Sequence, residues 1–185
     1  VDDGSMDKTV SIIKQMACLD TRIVFLKLDI NLGTGIARNT ALYTAKGRYI
    51  SFLDADDLWT PNKLDIQIEF MQANKLSFTF SFYDCINEEG KSLSKRVESP
   101  INLSYRQLLF CNYIGSLTAI YDVNYFGKIP ISPIRKRQDW MLWLTVLKKI
   151  KVAHPVPESL AYYRIRDNSI STSKFDLVKY NLFLH

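Results

Sequence analysis

Apolar residues in the first half of the chain occur in two kinds of pattern. Short continuous runs at residues 22–28 and 49–53 are typical of strands that are covered on both faces. Apolar residues at intervals of three and four, near residues 8–19 and 36–45, are typical of helices, and Thr60-Pro61 predicts the start of another. This order of strand, helix and strand predicts an α/β fold in which helices flank a mostly parallel sheet.

The second half of the chain is less regular. The predicted elements are a strand at 77–86, a turn at 87–90, a helix at 105–110, a strand at 116–121, a helix at 139–150 with Trp140, Trp143, Leu144 and Leu147 facing inward, two strand-like pieces flanking 155–157, and a terminal helix from about Lys174. No internal repeat or linker divides the sequence, so we predict one domain over residues 1–185.

Composition narrows the classes of protein that fit. Of the 185 residues, 47% are hydrophobic and 23% are charged, which excludes a disordered or low-complexity chain, and no apolar run is long enough to cross a bilayer. The net charge of +5 suits an anionic partner, such as a phosphorylated substrate, a nucleic acid or an anionic membrane surface. Basic and acidic residues are interleaved, without a basic stripe carrying stacking aromatics, so we expect no nucleic-acid partner.

The cysteines indicate a reducing environment. Cys18, Cys85 and Cys111 are odd in number and widely separated, without a CxxC pair. A disulfide framework or a zinc site is therefore not expected. We predict buried free thiols in a cytoplasmic protein.

Carboxylates follow two of the predicted strands. Asp54, Asp56 and Asp57 follow the strand at 49–53, and Asp2 and Asp3 follow a strand that ends at Val1. Ligands of open α/β sheets bind outside the carboxyl ends of strands, and paired carboxylates there can hold Mg²⁺ or Mn²⁺ with a phosphate. The alternatives are an acidic loop that caps the next helix and a simple Asp-Gly turn.

Asp139 opens the last predicted amphipathic helix, directly after the basic run at 135–137 and Gln138. A basic run is usually solvated, and an aspartate at a helix start interacts favourably with the helix dipole. The alternative function is that of a carboxylate that accepts a proton from a substrate hydroxyl, beside cationic groups that bind a diphosphate.

Taken together, several motifs resemble the nucleotide-sugar half of family 2 glycosyltransferases, which have the GT-A fold, a Rossmann-like α/β architecture. The motifs are Val1-Asp2-Asp3-Gly4-Ser5-Met6-Asp7, Asn31-Leu32-Gly33, Ala37-Arg38-Asn39, Lys46-Gly47-Arg48 through Leu53-Asp54-Ala55-Asp56-Asp57, Trp59-x-Pro61-x-Lys63-Leu64, Gln138-Asp139-Trp140, Tyr162-Tyr163-Arg164 and Asn168-Ser169-Ile170-Ser171. The resemblance extends over nearly the whole chain and is greatest to bacterial enzymes that make teichuronic acid, capsule and lipopolysaccharide. It implies a nucleotide-sugar-binding part at residues 1–75 and an acceptor-side and C-terminal part at 76–185.

The resemblance also implies a role for each of four carboxylates. Asp3 matches the residue that contacts the nucleotide base. Asp54 and Asp56 match the two ends of the DxD motif, with Asp54 towards the ribose and sugar and Asp56 towards the metal and diphosphate. Asp139 matches the catalytic base that deprotonates the acceptor hydroxyl, and a single displacement would invert the anomeric carbon. The implied cofactor is Mn²⁺ or Mg²⁺, held by Asp56.

The chain departs from the family pattern at three places. Gln138 stands where the family usually has Glu, and Arg166 stands where many members have a His that completes the metal site in some of them. Arginine does not ligate a metal, but it can bind the diphosphate. The family's first strand and helix would precede Val1, so we expect the natural protein to have a first βα unit upstream.

The function expected from these residues is that of an inverting, metal-dependent glycosyltransferase. It would move a sugar from a nucleotide-diphosphate donor, expected to be UDP-linked, to a hydroxyl of a bacterial cell-surface polysaccharide or lipid-linked glycan. Such an enzyme would work in the cytoplasm or at the cytoplasmic face of the inner membrane. The alternative is a metal-dependent nucleotide-binding or nucleotidyltransferase domain.

Overall fold

The structure is a computed structural model, and it describes residues 1–134 and 136–166. Its helices are α1 (Thr9–Leu19), α2 (Thr34–Thr44), α3 (Lys63–Ala73), α4 (Tyr105–Phe110), α5 (Val123–Phe126) and α6 (Gln138–Ile150). Its strands are β1 (Asp2–Asp3), β2 (Lys27–Leu28), β3 (Tyr49–Ser51), β4 (Leu58–Trp59), β5 (Phe78–Ile86), β6 (Ser92–Val97), β7 (Leu103–Ser104), β8 (Ile120–Asp122) and β9 (Val152–Arg164).

Two sheets form in the described part of the chain. The small sheet pairs β1 with β2 in parallel. The larger sheet has the order β3-β8-β5-β9-β4, with β6 paired to β5 and β7 to β9. The central strands β5 and β9 are parallel, because the intervening chain returns through α6 before β9 begins.

The prediction of a mostly parallel sheet is corrected to a mixed sheet. Among the described residues, the pairs β3–β8, β5–β8, β4–β9, β5–β6 and β7–β9 are antiparallel. The turn at 87–90 explains one of these pairs, since a tight turn returns β6 along β5. Apolar runs indicate burial but not the direction of the neighbouring strand. For this reason the sequence pattern predicted the α/β class correctly but not whether the strands pair in parallel or antiparallel.

The core lies between the larger sheet and α6. Seven of the thirteen residues of α6 are buried, including the four that the sequence analysis predicted to face inward. Trp143 is fully buried, and its ring centre lies 5.6 Å from that of Phe78 on β5. Burial of this aromatic layer fixes the position of α6 against the sheet, and with it the position of Asp139 in the first turn of the helix.

Other local predictions fared unevenly. The strand at 77–86 and the helix at 105–110 form as expected, and the pieces that flank 155–157 are one continuous strand, β9. The strand predicted at 116–121 begins with a 3-10 turn at Ser116–Thr118. The predicted strand at 22–28 is reduced to Lys27–Leu28, because only these residues pair with β1.

The cysteines do not share one environment. Cys85 is buried on β5, as predicted, whereas Cys18 and Cys111 are exposed, so the prediction of three buried thiols is wrong for those two. Cys18 lies on α1, none of whose residues is buried. The helix predicted from Lys174 and the motif at 168–171 lie outside the described residues. In the described part of the chain, no helix has the length and apolar character needed to cross a membrane.

Candidate active site

The acidic loop at residues 54–57 joins β3 to β4 and forms a turn in which the Asp57 amide donates to the Asp54 carbonyl at 3.1 Å. The Asp54 carboxylate accepts two hydrogen bonds from Nη2 of Arg38, at 2.6 Å and 2.7 Å. Arg38 lies on α2 and is mostly buried, so this ion pair is shielded from bulk water on one side. Asp54 is thereby tied to α2 rather than left as a free loop side chain.

Asp56 and Asp57 contact the end of β9. The Arg164 Nε donates to the Asp56 carbonyl at 2.7 Å, and the Arg164 amide donates to the Asp57 carboxylate at 2.9 Å. The Asp56 carboxylate remains partly exposed and lies 3.4 Å from Nε of Arg166. Asp57 is buried, and this burial raises its pKa to about 6. Of these two residues, Asp57 is therefore the one whose carboxylate holds the turn to β9, and Asp56 is the one whose carboxylate reaches solvent.

Asp3 connects β1 to the loop before α2. Its two carboxylate oxygens accept the backbone amides of Leu32 and Gly33, at 2.8 Å and 2.9 Å. Gly33 has a φ of 92°, a conformation that favours glycine, and α2 begins directly after it. Asp3 therefore shapes the glycine loop, and its remaining lone pairs are the ones that can contact a ligand.

Asp139 lies in the first turn of α6, where its carboxylate accepts a hydrogen bond from Nδ2 of Asn112 at 3.1 Å. Part of the residue reaches solvent, but protein surrounds the carboxyl group, and this burial raises its pKa. The hydrogen bond from Asn112 and the nearby charge of Arg38 oppose the rise in pKa. The phenol of Tyr83 on β5 lies within the electrostatic range of both Asp139 and Asp57.

The site therefore unites residues that are far apart in sequence. Arg38 contacts Asp54 directly and acts electrostatically on Asp139, so both carboxylates lie in the neighbourhood of one guanidinium. The basic run before α6 does not lie entirely in solvent, because the Arg137 guanidinium stacks on Trp140 at 4.5 Å. Arg135 lies outside the described residues.

The acidic loop can bind a metal ion only together with a ligand that completes the coordination of the metal. Among residues 1–134 and 136–166, no group of three or more His, Cys, Asp or Glu side chains is placed to hold a cation alone. Mg²⁺ and Mn²⁺ commonly bind through one or two carboxylates together with substrate phosphates. The partly exposed Asp56 carboxylate suits such a shared site better than that of Asp54, because Asp56 lies 3.4 Å from Nε of Arg166 whereas Asp54 accepts two shorter bonds from Arg38.

Sequence reasoning missed three residues that position these carboxylates, namely Arg38, Asn112 and Arg164. Arg38 and Arg164 were part of the quoted motifs but received no role, and nothing marked Asn112. Asp139 and Asn112 are 27 residues apart, and Arg38 and Asp54 belong to different elements. A pattern within one element does not show such partners.

The sequence of the chain is similar to those of known proteins over most of its length. The sequence pattern of "Glycosyl transferase family 2" matches residues 1–124. A putative teichuronic acid biosynthesis glycosyltransferase of Bacillus subtilis, TuaG, is 40% identical over 185 residues, which cover all of this chain and 73% of the relative. The Escherichia coli enzyme WfgD, a UDP-Glc:α-D-GlcNAc-diphosphoundecaprenol β-1,3-glucosyltransferase, is 36% identical over 96% of this chain and 69% of its own.

Solved structures show the same fold at lower sequence similarity. The crystal structure of S. aureus TarS 1–349 with UDP-GlcNAc superposes with a TM-score of 0.75 at 16% identity, over 99% of this chain and 55% of TarS. The complex of TarS 1–349 with UDP gives a TM-score of 0.71 at 17% identity, over 89% of this chain and 49% of TarS. The chain thus spans about half the length of these structures. The fold is that of a GT-A glycosyltransferase, and the chain belongs to glycosyl transferase family 2.

Proposed function

We propose that this protein is an inverting glycosyltransferase that moves a sugar from a UDP-linked donor to a hydroxyl of a bacterial cell-surface polysaccharide or lipid-linked glycan. The observation that carries the proposal is that Arg38 binds Asp54 and also acts electrostatically on the enclosed Asp139 carboxylate, while the partly exposed Asp56 lies in the same loop as Asp54. The names of two relatives supply the substrate classes, since TuaG acts in teichuronic acid biosynthesis and WfgD uses UDP-Glc and a lipid-linked GlcNAc.

In this proposal Asp139 is the general base. Its buried carboxylate accepts the proton of the acceptor hydroxyl as the hydroxyl oxygen attacks the anomeric carbon, and the bond to the diphosphate breaks on the opposite face. Burial raises the pKa of Asp139 and so makes the carboxylate a stronger base than an exposed aspartate. One displacement from the opposite face inverts the anomeric configuration.

The donor side has a separate task. Asp54, kept in place by Arg38, would bind the ribose or the sugar hydroxyls, and Asp3 the nucleotide base. Asp56 would hold Mn²⁺ or Mg²⁺, whose charge would neutralise the departing diphosphate. Arg166, 3.4 Å from Asp56, is close enough to contribute a further positive charge to that diphosphate.

The second candidate is a metal-dependent nucleotidyltransferase, which would also use carboxylates at strand ends. It has no need of a base on a late helix, and the buried Asp139 with its Asn112 partner favours the glycosyltransferase. A lipid-linked acceptor would bring the protein to the cytoplasmic face of the membrane, and the net charge of +5 suits an anionic surface.

A donor panel tests the proposal. UDP-glucose, UDP-GlcNAc and UDP-galactose are each incubated with the protein and Mn²⁺, with the GlcNAc-diphosphoundecaprenol class of acceptor, and the anomer of the product is read by NMR. We expect one donor to give a product of inverted configuration. A product of retained configuration, or the transfer of a uridine monophosphate group in place of a sugar, would contradict the proposal.

The metal role of Asp56 has its own test. Asp56→Ala should abolish the Mn²⁺-dependent part of UDP binding in calorimetry, since it removes the carboxylate proposed to hold the metal, and should leave the far-UV spectrum unchanged. Asp65→Ala, an exposed aspartate in the first turn of α3, is the matched control. Unchanged Mn²⁺-dependent binding of UDP in Asp56→Ala would contradict the assignment of the metal to Asp56.

A further inference from the structure

Gln138 precedes the proposed base and is held in an unusual way for the first residue of a helix. The residue before it, Arg137, has a left-handed φ of 61° and provides no side-chain cap for α6. Instead, Nε2 of Gln138 donates to the Ile134 carbonyl at 2.7 Å, and the residue is only 6% exposed. The start of α6 is thus held by a buried amide rather than by a capping side chain.

The other end of the same amide faces α2. Oε1 of Gln138 lies 3.3 Å from Nη1 of Arg38 and 3.4 Å from the Thr34 hydroxyl. The same guanidinium binds Asp54 through Nη2. Arg38 therefore bridges the donor-side carboxylate and the residue adjacent to Asp139.

Two further contacts keep α2 and the start of α6 together. A Cβ atom on Gly35 would lie 2.7 Å from Nε2 of Gln138 and 3.3 Å from the Ser132 carbonyl, so glycine alone leaves room for this approach. Asn39 exchanges two hydrogen bonds with the backbone of Ile131, at 2.7 Å and 3.0 Å, which fixes the segment that leads into α6. Helix α2 and the start of α6 are therefore held together, and with them the distance between the Arg38-bound Asp54 and Asp139.

We propose that Gln138 is a positioning residue, which sets the place of the Asp139 carboxylate relative to a donor held at Asp54 through the link Asp54–Arg38–Gln138. The inference rests on the proposed function, because it gives Gln138 a role only through Asp139. A glutamine is suited to the link for a chemical reason. Its amide donates to the Ile134 carbonyl and accepts from Arg38 at once, whereas a carboxylate would accept only.

The test compares Gln138→Leu with wild type in the release of UDP from the preferred UDP-sugar, with water as the acceptor. Leucine fills a similar volume and removes both hydrogen-bonding functions. We expect UDP release to fall by about 10- to 100-fold, the loss that a displacement of about 1 Å causes in a positioned group. UDP affinity in calorimetry should change little, because Arg38 keeps its two bonds to Asp54.

Gln67→Leu is the matched control. Gln67 is a fully buried glutamine on α3 whose Nε2 donates to the Thr118 carbonyl at 2.9 Å, so the substitution removes a comparable hydrogen bond away from the site. We expect this variant to lose a similar amount of thermal stability and to keep its rate of UDP release. An equal loss of rate in both variants would mean that Gln138 has a structural role alone, and would overturn the inference.

A double variant separates positioning from other effects. If Gln138 acts through Asp139, then Gln138→Leu combined with Asp139→Asn should release UDP no more slowly than Asp139→Asn alone. If the fold-loss of UDP release in the double variant equalled the product of the fold-losses in the two single variants, the inference would be overturned. Should Gln138→Leu fail to fold, Gln138→Met serves in its place, since it has a similar volume, is also uncharged and likewise loses both hydrogen-bonding functions, and the same non-additivity is expected.

The outcomes distinguish this inference from the proposed function. Asp139→Asn with a wild-type rate would overturn both. A wild-type rate in Gln138→Leu beside an impaired Asp139→Asn would overturn only the positioning role and leave the assignment of the base intact.

Discussion

The helices α1 and α6 have similar amphipathic patterns and opposite surroundings. In α6, seven residues are buried and Trp143 contacts the centre of the sheet. In α1, no residue is buried, and Ile12, Met16 and Leu19 are more than half exposed. Periodicity thus predicts a helix and its apolar face, but the burial of that face depends on what the rest of the fold places against it.

The aspartates at the starts of these two helices differ in the same way. Asp7 is exposed, and its hydrogen bonds with Thr9 lower its pKa. Asp139 is enclosed by protein, and this burial raises its pKa. An aspartate just before one helix thus only accepts a local backbone hydrogen bond, whereas an aspartate in the first turn of the other is a candidate base.

The largest expected difference concerns packing. Trp143→Ala should lower the free energy of unfolding by about 3–5 kcal/mol, the usual cost of removing a buried tryptophan. Met16→Ala on α1 should change it by no more than about 0.5 kcal/mol, as for other surface substitutions. Urea denaturation of both variants measures the contrast. Equal losses would show that the apolar face of α1 is covered in solution, and the comparison would fail.

A third helix, α3, is intermediate and gives a pH-dependent test. Lys63 is fully buried and has no carboxylate partner among residues 1–134 and 136–166. Its Nζ lies 4.2 Å from the Trp59 ring centre, and burial lowers its pKa to about 7. The unfolded chain therefore holds this proton up to higher pH than the folded one does. Stability should rise as the pH increases above 7, by up to about 1.4 kcal/mol per pH unit from this group, until the lysine of the unfolded chain also loses its proton.

Lys63→Met should remove that rise. The difference in the free energy of unfolding between the variant and wild type, measured in urea at pH 7, 8 and 9, should shrink or reverse as the pH increases. Lys14→Met on the exposed α1 is the control and should follow the wild-type dependence. A Lys63→Met curve parallel to that of wild type would mean that the ammonium of Lys63 is not desolvated.

The smallest expected effect concerns the two aspartates. Asn112→Ala removes the hydrogen bond that favours the charged form of Asp139, so the pKa of Asp139 should rise further. The pKa of Asp7 should not change. Carboxyl-carbon NMR titration reports both residues in one experiment. No movement of Asp139 would mean that the Asn112 contact does not influence its charge.

Much of the local structure was predictable from the sequence, whereas the roles of the site carboxylates stay predictions. The aromatic strand β5 and the inward face of α6 follow from patterns within one element, and Asp54, Asp56 and Asp139 came from motifs in a recognisable order. The buried face of α3 was not predictable, since it presents Lys63 and Gln67 inward while Leu64 is exposed. The partners of the site carboxylates were also missed, because Arg38 and Gln138 are 100 residues apart.

The most direct test of the account is the effect of Asp139→Asn on turnover and on donor binding, measured with the same protein preparation. The amide keeps the shape of the side chain and loses its basicity, so turnover with the preferred UDP-sugar should fall by about 10²- to 10⁴-fold. The affinity for UDP should stay close to that of wild type, since Asp54 and Asp56, the carboxylates proposed to bind the donor and its metal, are unchanged. Near-normal turnover in Asp139→Asn would contradict the account, because Asp139 would then be only a residue at the start of a helix.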